Sequence, residues 1–411
     1  MGFFAATRGP RVIAVGAGQR HGLAGHARRK GSRILICTDE RMAADAVTRD
    51  LVDGLAAGGM QVKVFDQSLP EVPASAIEQA VAAGRAFGPD VILGLGGGSC
   101  MDMAKMAALF LAHGGRPQDY YGEFKVPGPV LPVICMPTTA GTGSEVTPVA
   151  VISDPDKVMK VGISAPELIP EIAICDPELT LTCPPGLTAV SGSDALTHAI
   201  EALMAVNKPV TPELTGTAVF VGKNAFSDMY ALTAITNIGR YLERAVKTGD
   251  DLEAREGMMW ASMLAGLAFG AAGTAAAHAL QYPVGAVTHT AHGLGVACLL
   301  PYVMEFNRPV SRASLLQVAD ALAVPDDGRG PEARAAAAID AVAELFARVN
   351  IPLTIKDLGL ADDQLDWAAE QAMGAARLVN NNPRKLDLAC MSHILRAAQT
   401  GDRAALRALP L

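Results

Sequence analysis

No basic run occurs anywhere in the 411 residues, and Asp and Glu outnumber Lys and Arg by 42 to 34, for a net charge of −8. That balance argues against a nucleic-acid partner, which needs a positive stripe to displace counterions from phosphates. There is no Cys-x-x-Cys pair either. The seven cysteines, at 37, 100, 135, 175, 183, 298 and 390, are odd in number and scattered. They fit reduced thiols in a cytoplasmic protein better than a disulfide framework. The start of the chain, MGFFAATRGPRVIAVGAG, lacks the basic leader and long apolar core of a signal peptide. Charge itself is missing from Gly257 to Met304, where no Asp, Glu, Lys or Arg occurs. Part of that stretch, MLAGLAFGAAGTAAAHAL, has the length for a spanning helix. Ala and Gly dominate it, however, His278 and Gln281 lie in or beside it, and no topological pattern of Lys and Arg flanks it. The sequence therefore reads as buried helices around a site, with no membrane partner.

Half of the residues are hydrophobic and 18% are charged, the composition of a folded globular chain long enough for two domains. From residue 11 to about 185, β-type runs alternate with helical patterns. VIAV (12–15), RILICT (33–38), QVKVFD (61–66), VILGLG (91–96) and LPVICMPT (131–138) read as strands. DAVTRDLVDGLAAG and ASAIEQAVAAGRAFG read as the helices between them. Such alternation predicts a mainly parallel sheet with crossover helices. Beyond LTCPPGLTAV, Ala- and Leu-rich helical patterns continue to the end. The expected organisation is an α/β dinucleotide-binding domain over 1–184 and an all-helical domain over 185–411, with Pro184–Pro185 at the boundary. AVPDDGRGPEAR (323–334) reads as a surface loop within the helical half.

VILGLGGGSCMDMAKMAALF is a strand, a glycine turn and a helix. Gly96, Gly97 and Gly98 give the backbone freedom to reach positive φ and to approach a ligand, and Ser99 adds a hydroxyl. The helix behind the turn points free N–H groups and its positive end at a pyrophosphate. An earlier glycine pair, Gly16 and Gly18 in VGAGQRHG, reads as a simple turn with no convincing helix after it. Asp39, after the second strand, can accept hydrogen bonds from an adenosine ribose and repel a 2′-phosphate, or can merely cap the helix in DERMAADAV. PTTAGTGSEVT (137–147) is a hydroxyl-rich loop, equally readable as a cofactor wall or a polar surface loop.

The charge-free wall carries His278, His289 and His292, from a total of eight histidines. In SGSDALTHAIEAL, a helix beginning near Ser193 puts Asp194 and His198 on one face at i and i+4, with Glu201 following as a rival ligand or a support behind the ligands. One carboxylate and three imidazoles suit Fe²⁺ or Zn²⁺ with a position open to a substrate oxygen.

With GGGSCMDMAK, PTTAGTGSEVT, DPELTLTCPPGLTAVSGSDALTHAIEA and HALQYPVGAVTHTAHGLGVACLLP in this order, the chain resembles the iron-containing, or group III, alcohol dehydrogenases from about residue 10 to its end. The resemblance implies the dehydroquinate synthase-like fold, an α/β domain followed by a helical one, and a homodimer. It makes Asp194, His198, His278 and His292 the metal ligands. It makes Asp39, Gly97, Gly98, Ser99, Thr138, Thr139 and Lys160 contacts of NAD, with Thr147 and Leu179 as weaker correspondences. His289 falls on no ligand position and is read as lining the cleft. Two departures stand out. Tyr282 occupies the place of a histidine thought to relay protons in relatives, and Glu71 that of an Asn in a turn after the third strand. The activity implied is reversible hydride transfer between NAD and a small alcohol or hydroxy acid. The alternatives are a hydroxyacid–oxoacid transhydrogenase of the 4-hydroxybutyrate type and a metal-dependent lyase or synthase that uses NAD transiently.

Overall fold

The computed structural model describes residues 3–157 and 159–409, so the outermost ends of the chain lie outside the described residues. Nine strands are found among the described residues: β1 Val12–Val15, β2 Arg33–Cys37, β3 Gln61–Phe65, β4 Val91–Gly96, β5 Gly122–Glu123, β6 Val133–Pro137, β7 Val149–Ile152, β8 Val161–Ser164 and β9 Ile172–Cys175. The helices of this half are α1 Leu23–Arg28, α2 Glu40–Ala43, α3 Ala46–Ala57, α4 Ala74–Phe87 and α5 Gly98–His113. Those that follow are α6 Pro185–Met204, α7 Leu214–Thr217, α8 Ala225–Lys247, α9 Leu252–Ala272, α10 Ala276–Thr288 and α11 His292–Ala321. The last four are α12 Pro331–Arg348, α13 Leu365–Met373, α14 Ala376–Asn381 and α15 Leu388–Thr400.

The chain divides into two compact units, with the main break between Cys183 and Pro184. The first also takes in Thr215–Val219, and the second reclaims the leading residues up to Thr7. In the first unit six strands form one parallel sheet in the order β1-β9-β6-β4-β2-β3. Strands covered on both faces read as continuous apolar runs, and every residue of β4 and β6 is buried. Alternate side chains feed different layers. Leu35, Ile92 and Val133 join the core that includes Met103 and Met106 of α5, while Ile34, Ile36, Leu93 and Ile134 join Leu51 and Leu55 of α3 on the other face. A second, three-stranded sheet has the order β5-β8-β7.

The register sets the sheet's working edge. Cys37 pairs with Gly94, and Gly96 with Pro137, so β2, β4 and β6 end close together and release their loops side by side. Those loops begin with Thr38–Asp39, Gly97 and Thr138. Carboxyl ends of parallel strands are where open α/β sheets place ligands.

Several sequence expectations need correction. A short 3₁₀ turn, Gln19–Gly22, and then α1 follow Gly18, where no helix was foreseen. β5, β7, β8 and β9 were not anticipated. The helix expected to begin near Ser193 begins at Pro185, a residue pre-set for the first helical position. The surface loop read as 323–334 stops at Gly330, because Pro331–Arg334 form the first turn of α12.

The second unit consists of helices and connecting loops, with no strand among its described residues, and the charge-free stretch occupies α9, α10 and the start of α11. Most of α9 and the first half of α10 are buried. Among the described residues no single helix is long and apolar enough to cross a membrane; α9 and α10 pass such a test only together, and they are bent by 103° at their junction.

Candidate metal centre and nucleotide turn

Asp194 and His198 sit in the middle of α6, 3% and 5% exposed, so Asp194 is no helix cap. The i, i+4 spacing places His198 Nε2 3.7 Å from Asp194 Oδ1. His278, in the first turns of α10, brings its Nε2 to 3.9 Å from the same oxygen. His292 opens α11 and supplies the third imidazole: ligand atoms of Asp194, His278 and His292 lie within 4.8 Å of one another. The His198 and His278 rings stack at 4.8 Å, and Phe269 covers the other side of His198 at 4.3 Å. The structure thus gathers Asp194, His198, His278 and His292 in one place. His289 is exposed and ends α10 in a left-handed conformation (φ 54°), outside that group.

Glu201 settles which nitrogen of His278 faces the cluster. Its carboxylate, 3% exposed, accepts the His278 Nδ1–H at 2.6 Å and the backbone N–H groups of Ala275 and Ala277 at 2.9 and 2.7 Å. The chain breaks between α9 and α10 at Gly273–Ala275, which leaves the first N–H groups of α10 without helical partners. Glu201 caps them from another helix and sets a negative charge at the positive helix end. With Nδ1 donating, Nε2 is an acceptor, and this buried atom has no hydrogen-bond partner among the described residues. A buried lone pair aimed at a carboxylate and a second imidazole fits a divalent cation. The donor set, one carboxylate and imidazoles, suits Fe²⁺ or Zn²⁺.

Small residues permit this convergence. A Cβ on Gly293 would lie 2.6 Å from the Val190 carbonyl and 3.0 Å from Asp194 Cβ, so only glycine lets the first turn of α11 press onto α6 beside the ligand. Gly285 and Gly295 flank the buried amide of Gln281 in the same way. Tyr282 lies one turn after His278, its ring 6.2 Å from that of His292. Burial pushes its phenol above the ordinary pKa.

In the first unit, only Gly96 of the glycine turn has positive φ, 145°; Gly97 is extended and serves as the N-cap of α5. Gly98 is required for another reason, since a Cβ there would come within 2.8 Å of Thr142. Asp39 does two things at once. One oxygen caps α2 through the Met42 N–H at 2.8 Å, and the other lies 3.9 Å from the space above Gly96. Thr139 approaches Gly97, whereas Thr138 is 3% exposed. Lys160 pairs with Glu71 at 2.8 Å, and the Glu71 N–H donates to Ser99 Oγ at 3.3 Å. Glu71 itself has φ 65°, a conformation that Asn tolerates better than Glu. Thr147 and Leu179 are turned inwards, 1% and 4% exposed.

Two residues that sequence reasoning passed over tie the glycine turn to the threonine loop. Asp102 of α5 accepts the Ser144 hydroxyl at 2.6 Å and the Val151 N–H at 2.9 Å. Lys105, wholly buried, donates to the Val149 carbonyl at 2.8 Å and the Thr147 carbonyl at 3.1 Å. Burial raises the Asp102 carboxyl and lowers the Lys105 ammonium. The DMAK part of the glycine motif was the available signal.

Comparison with known proteins gives the family. Residues 10–177 match the iron-containing alcohol dehydrogenase family, and residues 188–399 match the C-terminal part of the same family. This chain belongs to the iron-containing alcohol dehydrogenases. Membership makes it an oxidoreductase. It is 35% identical to long-chain-alcohol dehydrogenase 1 of Geobacillus thermodenitrificans, over 95% of this chain and 96% of that protein. Its fold matches a 1,3-propanediol oxidoreductase with a TM-score of 0.89 at 30% identity, covering 96% of this chain and all of that one. A sulfoacetaldehyde reductase from Bifidobacterium kashiwanohense, solved in complex with NAD⁺, matches with a TM-score of 0.82 at 27% identity, covering 98% of this chain and all of that one. The family implies a divalent metal and NAD.

Proposed function

We propose that this dehydrogenase acts reversibly on a small alcohol or hydroxy acid with NAD, residues 1–184 taking the nucleotide and 185–411 the metal. Asp194, His198, His278 and His292 would hold one Fe²⁺ or Zn²⁺. The observation that carries the reading is the buried Nε2 of His278, fixed as an acceptor by Glu201 and directed at Asp194 and His292. A divalent ion there supplies Lewis acidity toward an alcohol or carbonyl oxygen, and NAD supplies the hydride carrier. The chain's part is to hold the ligands in register through Glu201 and to keep the wall around them free of competing charge.

For the nucleotide, Gly97, Gly98 and Ser99 would face the pyrophosphate at the start of α5, and the outer oxygen of Asp39 the ribose. Thr138, Thr139 and Lys160 would line the remainder, Lys160 being oriented by Glu71. Thr147 and Leu179 would act from beneath, since both are buried. Tyr282 and His289 would order substrate or water near the metal. A homodimer in the cytoplasm belongs to the same proposal; seven free cysteines, six of them buried, support a reducing compartment.

A second reading is a hydroxyacid–oxoacid transhydrogenase in which NAD is recycled between two substrates, since the Tyr282–Pro283 pair resembles that of such enzymes. Elemental analysis of protein purified without oxygen, followed by a screen of NAD⁺ reduction over small alcohols and hydroxy acids, separates the two. One equivalent of metal and steady NADH accumulation support the dehydrogenase. Metal with no net NADH, but hydride exchange between a hydroxy acid and an oxo acid, supports the transhydrogenase. Absence of metal overturns both.

A further inference from the structure

Glu71 occupies a place that does not suit its type. The Val72 N–H closes a four-residue turn on the Leu69 carbonyl at 3.2 Å, with Pro70 and Glu71 at its centre. The φ of 65° at Glu71 is what such a turn asks of Gly or Asn. Val72 follows at φ 50°, which a β-branched residue rarely adopts. Conformations of this kind persist where the surroundings over-determine them, and they gather at functional sites. Here the surroundings are the β7–β8 hairpin and the first turn of α5. Ile152 pairs with Val161, so Ser153 opens the connection between the two strands and Lys160 closes it. The Ser153 N–H donates to the Val72 carbonyl at 3.2 Å, and the Ser153 carbonyl accepts the Ala74 N–H at 3.1 Å. The Glu71 N–H donates to Ser99 Oγ at 3.3 Å, and the Glu71 carboxylate pairs with Lys160 at 2.8 Å.

The backbone of the turn is thus held by Ser153 and Ser99, whatever side chain residue 71 carries. The glutamate adds a negative charge. Among the described residues it is the only carboxylate within ion-pair distance of Lys160. The Glu71 side chain is 52% exposed, and a pair so open to water contributes little to folding. Stability therefore does not account for a glutamate at a strained position. Ligand charge does. NAD carries a dianionic diphosphate. Paired with Glu71, Lys160 presents no net charge to such a ligand, and a carboxylate next to Ser99 opposes it.

We propose that Glu71 sets the affinity for the cofactor: its carboxylate competes with the dinucleotide for Lys160 and keeps NAD a dissociable co-substrate. The inference rests on the reading of residues 1–184 as the nucleotide domain and adds how tightly that domain holds its ligand. Net reduction of NAD⁺ requires a cofactor that leaves after each turnover, whereas recycling in place requires one that stays.

The test uses zinc-loaded full-length protein and calorimetric titration with NAD⁺, ADP-ribose and adenosine. Glu71→Gln keeps the length of the side chain and removes the charge. It should bind NAD⁺ and ADP-ribose about two- to fivefold more tightly, the range for a partly exposed charge, with adenosine unchanged. The gain should shrink at high salt. Glu71→Asn should share the gain and also unfold at a higher urea concentration than Glu71→Gln, because Asn accepts the positive φ. Lys160→Gln should weaken both anionic ligands and abolish the effect of Glu71→Gln. A substitution that merely damaged the turn would lower affinity, so the expected sign is itself diagnostic. Unchanged or weaker NAD⁺ binding in Glu71→Gln, or a gain that survives in the Lys160→Gln background, would overturn the proposal and leave the nucleotide domain standing. If neither NAD⁺ nor ADP-ribose binds the parent or any variant, the nucleotide reading itself fails.

Discussion

Replacing Glu201 by Gln isolates the support behind His278. In the native protein Oε2 accepts from Ala275 and His278, and Oε1 from Ala277. A glutamine of the same shape keeps the first pair only if its amide oxygen takes the Oε2 position. Its NH₂ then faces the Ala277 N–H, donor against donor, in a place that is 3% exposed. One charge-assisted bond is lost, two are weakened to neutral ones, and a buried N–H is stranded. At about 1.5–3 kcal/mol for a bond to a charged group, the metal-free protein should lose about 2–4 kcal/mol. Metal binding should suffer separately, because the imidazole loses the carboxylate that raises its basicity. Such support is worth about ten- to a hundredfold in affinity. Urea unfolding of the metal-free protein reads the first effect, and competition for Zn²⁺ with a chromogenic chelator reads the second. If Glu201→Gln binds Zn²⁺ as tightly as the parent, Glu201 is only a helix cap and the tautomer argument for His278 falls.

His292→Ala should strip the metal and the activity together, while His289→Ala, altering an exposed residue outside the cluster, should keep full metal content; elemental analysis of both decides. NAD⁺ should be preferred to NADP⁺ by on the order of a hundredfold in kcat/KM, and Asp39→Gly should narrow the gap; equal use of both by the parent would reduce Asp39 to its capping bond. Glu145 is wholly buried, and burial lifts its carboxyl from 4.5 to about 7. The folded state therefore holds the proton more tightly, so this group's stability contribution is complete below pH 4.5 and is lost as the pH rises to about 7, by up to about 3 kcal/mol. Urea midpoints at pH 5 and pH 8 should differ less in Glu145→Gln, and an undiminished difference would place the titration elsewhere.

What could be read from the sequence, and what could not, follows the range of the forces involved. β2, β4 and β6 were legible because strands buried on both faces must be apolar throughout. β9, Ile172–Cys175, is just as buried but has only four residues, and it gains its place through pairing with β1, far away in the chain. The early start of α6 was hidden by Gly186, Ser191, Gly192 and Ser193, residues that ordinarily weaken a helix. Gly192 is there for packing: a Cβ would collide with the Leu242 side chain and come within 2.8 Å of Met258. Local propensity recorded the weakness and could not record the neighbour that required it.

The metal cluster shows the same division. Asp194 and His198 were legible because a single helix fixes their spacing. That His278 and His292 join them depends on two further helices reaching α6, and on Glu201 bonding across the α9–α10 break. The composition of the wall does record that requirement, in an indirect form. Gly293, beside His292, marks the point where α11 meets the Val190 carbonyl, and Gly285 and Gly295 make the slot for Gln281. In a buried helical region glycine costs about 1 kcal/mol against alanine, so each glycine at these contacts is tolerated for the approach it allows. Ligands on one helix leave a period in the sequence, whereas a carboxylate that bonds across a break between two other helices, as Glu201 does, becomes visible only in three dimensions.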